Sequence, residues 1–142
     1  MKISIIYWSG TGNTEAMANL IADGAKGAGA EVYISEIGKL DHPKYKESDV
    51  LVLGCPAMGS EVLEEDEFEP FIQHIEPKLT GRKLALFGSY DWGEGQWMRD
   101  WTERMTKAGA VLAADSLIVN NTPSGESAQQ CRDFGAKIAG GN

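Results

Sequence analysis

Apolar residues along the chain fall into two alternating rhythms. Strand-like apolar runs occupy Lys2–Tyr7, Glu31–Ser35, Asp49–Gly54 and Arg82–Gly88, and a fifth, Val111–Asn120, carries a polar break at Asp115-Ser116. Val50-Leu51-Val52-Leu53 and Leu84-Ala85-Leu86-Phe87 are apolar at every position. Such runs suit strands covered on both faces, as in a parallel sheet under helices. Between them the spacing changes to i, i+3, i+4, i+7. Met17, Leu20, Ile21, Gly24, Ala25 and Ala28 form one stripe, and Phe68, Phe71, Ile72 and Ile75 a second with Pro77 as its stop. Trp97, Met98, Trp101, Met105 and Ala108 form a third, closed by Gly109, and Ala128, Cys131, Gly135 and Ile138 a fourth. Gly38–Ser48 contains Pro43 and shows no stripe; it is either a short turn of helix or a loop.

Strands alternating with helices predict an α/β architecture, a three-layer, open, doubly wound sheet with right-handed crossovers. With 142 residues and no repeat or linker, one domain over 1–142 is expected. Ligands of such sheets bind beyond the carboxyl ends of the strands. The loops that leave those ends are therefore the segments to read for chemistry.

Charge narrows the choice of partner. The formal net charge is −8, from 21 acidic and 13 basic residues. Nucleic acid and anionic membrane surfaces call for the opposite sign, whereas a protein with a basic docking surface would be attracted. No apolar run nears the roughly 20 residues that span a bilayer, and the N-terminus reads as a first strand, not a leader. A cytoplasmic, monomeric protein with reduced Cys55 and Cys131 is expected.

After the first strand comes Ser9-Gly10-Thr11-Gly12-Asn13-Thr14-Glu15, which leaves a strand and opens a helix. Glycines let the backbone turn tightly, hydroxyls add donors and the helix start contributes partial positive charge. The combination suits a phosphate monoester. No Lys, Arg or His occurs from Ile3 to Ala25, so the donors would be neutral. The Gly-Lys-Ser/Thr of a nucleoside triphosphatase is missing, and Glu15 stands where the third glycine of a dinucleotide turn belongs. The third strand leads into Cys55-Pro56-Ala57-Met58-Gly59-Ser60-Glu61 and the fourth into Ser89-Tyr90-Asp91-Trp92-Gly93-Glu94-Gly95. Met58 and Trp92 thus sit on the ligand edge, where a flat aromatic guest would cover them.

Other chemistries lack their residues. Glu61 occupies the place of a cysteine phosphatase's Arg, and Gly54-Cys55 the place of a phospho-acceptor's acid. His42 and His74 read as surface residues, and no metal cluster is visible. The acidic run Glu64-Glu65-Asp66-Glu67, with Glu69, either supports the start of a helix or docks a basic partner.

Tyr7-Trp8-Ser9-Gly10-Thr11-Gly12-Asn13-Thr14-Glu15 resembles the phosphate signature of the flavodoxin family. Pro56-Ala57-Met58-Gly59-Ser60-Glu61 and Ser89-Tyr90-Asp91-Trp92-Gly93 look like the two flavin-edge loops of its short-chain, anaerobic-bacterial members. The resemblance spans the chain and implies five parallel strands in order 2-1-3-4-5, non-covalent FMN, and low-potential one-electron transfer between redox enzymes without substrate turnover. It also implies roles: Ser9 to Thr14 around the phosphate with Ser89 helping, Met58 and Trp92 flanking the ring, Gly59-Ser60 at flavin N5, Glu61 at the pyrimidine edge, Asn121 near the ring or ribityl. Ala57, Tyr90, Asp91 and Gly93 complete the two loops. Asp91 stands where relatives often carry Gly. An FMN-dependent quinone reductase and a flavodoxin-like redox activator are the alternatives on this scaffold.

Overall fold

A computed structural model describes residues 1–59 and 61–140. The elements run β1 (Lys2–Tyr7), α1 (Asn13–Gly27), β2 (Glu31–Glu36), α2 (His42–Lys46), β3 (Val50–Gly54), α3 (Phe68–Ile75), β4 (Lys83–Tyr90), α4 (Gln96–Lys107), β5 (Val111–Leu112), β6 (Leu117–Asn120) and α5 (Glu126–Gly140). All pairings are parallel, in the order β2-β1-β3-β4-β5, with β6 also beside β4. The 2-1-3-4-5 order is the expected one.

The consecutive apolar runs divide themselves between two cores because successive strand residues face opposite ways. Ile6, Leu51, Leu53, Leu84 and Leu86 meet Phe68, Phe71 and Ile72 of α3 and Trp97, Trp101 and Met105 of α4. Ile3, Ile5, Val50, Val52, Ala85 and Phe87 meet Met17 and Ile21 of α1 and Cys131 and Phe134 of α5. On this second side the helices nearly touch through their backbones. A Cβ on Gly24 would overlap the Arg132 carbonyl, and one on Gly135 would overlap the Ile21 carbonyl. Both glycines lie in the predicted stripes for that steric reason. Arg104 of α4 binds Glu69 on α3 at 2.7 Å and also pairs with Glu76, tying the other layer together.

Two differences from the sequence reading have physical causes. The fifth strand is two strands. From its partner residue Leu84 to Phe87, β4 advances three residues, while the facing chain advances five, from Leu112 to Leu117. Two residues more than the ladder can pair are pushed out around Asp115-Ser116, as in a bulge. Ser116 Oγ then meets Thr102 Oγ1 of α4 at 2.8 Å. The stripe-free Gly38–Ser48 holds a 3-10 turn, Ile37–Lys39, and the five-residue α2, whose start Asp41 caps by accepting from the Lys44 N–H at 3.3 Å. Only Tyr45 of α2 is buried, too little apolar surface to leave a periodic trace. Among the described residues no helix is long and apolar enough to cross a membrane.

Candidate functional site: the carboxyl rim of the sheet

The loops after β1, β3, β4 and β6 gather at one rim of the sheet. The first leaves β1 at Trp8, whose N–H donates to the Gly54 carbonyl at 3.0 Å. It turns through Gly12, which sits at φ 98° and precedes the first residue of α1 without a capping side chain. Ser9 takes over part of that duty from a distance: its Oγ accepts from the N–H groups of Gly12 and Glu15, each at 3.2 Å. The N–H groups of Thr11, Asn13 and Thr14 meet no acceptor among the described residues. Open donors at a helix start attract an anion.

This loop is held to its neighbours by hydroxyls. Buried Thr14 Oγ1 and Ser89 Oγ lie 2.9 Å apart, and the Ser89 N–H donates to Thr14 Oγ1 at 3.4 Å, which fixes the start of α1 to β4. On the outer side Thr122 Oγ1 donates to Asn13 Oδ1 at 2.7 Å. Asn121 adopts φ 58° and donates its N–H to the Tyr90 carbonyl at 2.7 Å.

The second and third loops face each other. The Ala57 N–H donates to the Ser89 carbonyl at 3.1 Å, and the Glu61 N–H to the Met58 carbonyl at 2.7 Å. Glu61 itself lies at φ 53°, and its Oε1 is buried without a partner among the described residues. That carboxylate rests where a side chain on Gly93 (φ 87°) would have to go, so the third loop needs glycine there. Gly59 is unobstructed: a Cβ there meets nothing. Ser60 lies outside the described residues. Trp92 is 58% exposed, a large ring at the rim with little protein against it. Asp91 beside it is exposed. Tyr90 instead turns inward toward Trp97, ring centroids 5.8 Å apart, and Trp97 Nε1 donates to the Cys55 carbonyl at 3.1 Å.

Between the loops opens a groove of about 210 Å³. Of the predicted residues, Gly10, Thr11, Asn13, Ala57, Met58, Ser89, Tyr90, Asp91 and Asn121 line it. Ser9, Gly12 and Thr14, and Gly59, Glu61, Trp92 and Gly93, belong to the same loops but do not line it. Trp8 and Pro56 line it without having been singled out from sequence. Trp8 was readable as a large ring immediately before the glycines, and its ring lies against Gly10. Larger cavities open elsewhere, such as one of about 310 Å³ beside Lys2 and Ser4, but they lie away from the carboxyl ends of the strands.

The residues fit FMN by their own chemistry. Three unengaged N–H groups at a helix start suit its phosphate, an exposed indole suits its ring, and an orphaned carboxylate oxygen suits an N–H donor on the ring's pyrimidine edge. The groove is too small to enclose the whole nucleotide and would leave an edge of it open. No group of His, Cys, Asp and Glu that could hold a metal occurs among the described residues. Cys55 and Cys131 are free and buried; burial pushes their thiols up, to about 12 and about 11.

Comparison with known proteins agrees. The family model described as Flavodoxin matches residues 5–135. The chain is 53% identical to a flavodoxin of Clostridium beijerinckii over 137 residues, covering 96% of this chain and 99% of that one. It is 46% identical to a flavodoxin of Megasphaera elsdenii, with 96% and 98% covered. Superposition on the solution structure of two-electron reduced Megasphaera elsdenii flavodoxin gives a TM-score of 0.87 at 44% identity, covering 97% of this chain and 98% of that one. These relatives do not favour the quinone-reductase or redox-activator alternatives. The chain belongs to the flavodoxin family, whose members bind FMN and carry electrons.

Proposed function

We propose that the rim groove is where this chain, one domain over 1–142, holds FMN, and that each loop has a separate task there. Ser9, Gly10, Thr11, Gly12, Asn13 and Thr14 take the phosphate, with Ser89 bracing Thr14. Met58 and Trp92 flank the ring system. The Gly59-Ser60 peptide meets flavin N5, Glu61 accepts from the pyrimidine edge, and Asn121 approaches the ring or ribityl. Ala57, Tyr90, Asp91 and Gly93 supply backbone and wall. FMN supplies the one-electron chemistry; the chain binds it, orients it and leaves one edge open. The observation that carries this reading is the start of α1, with three open N–H groups and no cation in its loop, on a groove shared with the loop after β4 that carries the exposed Trp92.

Charge sets the direction of redox tuning. One unit charge about 10 Å away in water raises the cost of added negative charge by ~0.4 kcal/mol, or roughly 18 mV per electron. A single hydrogen bond, at ~0.5–1.5 kcal/mol, outweighs it. The carboxylates of Glu61, Asp91 and Glu94 thus favour low potentials by their number, and the loop peptides set the finer balance. The same acidic character suits redox partners with basic docking surfaces, met by a monomer in the cytoplasm.

Titrating the apoprotein with FMN while following tryptophan emission tests the site. One-to-one quenching is expected, and Trp92→Ala should weaken binding about fivefold, a loss of ~1 kcal/mol. Unchanged affinity would remove Trp92 from the site. A reductive titration should resolve two one-electron steps at low potential; a single two-electron step would contradict the carrier role.

A further inference from the structure

The start of α1 carries a carboxylate of its own. Glu15 is the third residue of the helix, the position from which a Glu side chain folds back to accept from the N–H at the helix start. In this chain it does not do so. The Gly12 N–H goes to Ser9 Oγ, while Glu15 Oε2 accepts from Tyr7 Oη at 2.9 Å. The carboxylate is therefore engaged by Tyr7 and accepts from none of the open donors of Thr11, Asn13 and Thr14.

Tyr7 is well placed to hold it. The residue ends β1, is only 7% exposed, and packs in the core shared with α1 and α5. A fixed ring makes a directional donor. Burial, together with the bond to Glu15, pushes its phenol up to about 12, so it keeps its proton throughout the neutral range. The chain also shows what an unrestrained carboxylate does beside a helix start. Just before α3, Glu64 turns onto the backbone and accepts from the N–H groups of Asp66, Glu67 and Phe68, the last being the first residue of α3, at 2.8, 2.8 and 2.9 Å.

We propose that Tyr7 is a positioning residue: its hydroxyl holds Glu15 off the start of α1 and so keeps the phosphate cradle open to an external phosphate monoester. The inference rests on the assignment of the Ser9–Thr14 loop as the phosphate site. Without the hydroxyl, Glu15 competes for the same N–H groups, and an incoming phosphate must displace it. The flavin ring, far from this contest, is unaffected.

Four full-length apoproteins test this: wild type, Tyr7→Phe, Glu15→Gln and the double variant. Each is titrated with FMN, with riboflavin, and with inorganic phosphate as competitor. Tyr7→Phe should weaken FMN and phosphate about tenfold, the worth of roughly one hydrogen bond, and leave riboflavin unchanged. Glu15→Gln added to Tyr7→Phe should restore FMN binding, because the competing charge is gone. A merely structural loss would weaken riboflavin equally and would not be rescued. Equal FMN binding by wild type and Tyr7→Phe, or a double variant no better than Tyr7→Phe, overturns the proposal. Should wild type itself bind FMN no more tightly than riboflavin, the phosphate assignment fails first and the role of Tyr7 fails with it.

Discussion

Among the helices that start at the carboxyl rim of this sheet, α1 and α3 have opposite first turns. At α3 the chain answers its own donors: Glu64, 5% exposed, accepts with its carboxylate from Asp66 and Glu67 just before the helix and from Phe68 at its first position, and its carbonyl accepts from the Glu69 N–H. At α1 the carboxylate inside the first turn, Glu15, is bonded to Tyr7, the cap position is a bare glycine, and donors stay open among the described residues. The same dipole is answered by the chain in one case and left unanswered in the other. A helix start becomes a binding site through what is withheld from it as much as through what is placed there.

Several changes would abolish this contrast. Removing the phosphate from the ligand should have the largest effect. Charge-assisted bonds are each worth ~1.5–3 kcal/mol before desolvation, so FMN should bind at least about 100-fold more tightly than riboflavin, by calorimetry of the apoprotein. A ratio near one would remove the distinction between the two helix starts. Next, Glu64→Ala should cost ~2 kcal/mol of stability in urea unfolding, with FMN affinity nearly unchanged. If FMN binding fell instead, Glu64 would belong to the site and not to the scaffold.

Acid bears on the same point. Burial raises the Glu64 carboxyl, but the three N–H bonds outweigh it and hold it below the usual carboxylate range. Its folded value is thus depressed. The stability it gives is complete above the unfolded value, near 4.3, and is lost as pH falls through the folded one. The gap between wild type and Glu64→Gln, measured by urea unfolding, should therefore be full at neutral pH and close on acidification. A constant gap would contradict the internal-anion account. Smaller still, Gly12→Ala forces a Cβ into φ 98° and should cost ~1–2 kcal/mol in stability and weaken FMN in parallel. Glu15→Gln, whose side chain can still accept from Tyr7, should change stability by less than about 0.5 kcal/mol.

Legibility in the sequence divides along the same line. The alternation of strands and helices, the two glycine-bearing helix stripes and the three ligand-edge loops were readable because local pattern dictates them: apolar strand runs, close-packed Gly24 and Gly135, glycines with hydroxyls after a strand; the strand order came from the family resemblance. The roles of the acids were not. Glu64 and its neighbours allowed two readings, and nothing in the run tells which one folds inward; the answer lies in its distance from the start of α3. Glu15 was readable only as a residue that breaks a dinucleotide motif, since its partner Tyr7 belongs to the preceding strand. The polar pair Asp115-Ser116 marked where the fifth strand breaks, but that it splits into two strands depends on how many residues β4 offers it, which no local pattern contains. Trp8 as a wall of the groove depends on the direction in which its ring leaves the strand.

The place of the phosphate decides between a built anion site and an ordinary glycine turn. Nitrogen–proton correlation spectra of the apoprotein, recorded while FMN and separately riboflavin is added, read this residue by residue. Large shifts at Thr11, Asn13 and Thr14 with FMN but not with riboflavin, and no movement at Asp66, Glu67 and Phe68, are predicted. Amides of Thr11, Asn13 and Thr14 that stayed in place with FMN, or moved equally with riboflavin, would contradict it.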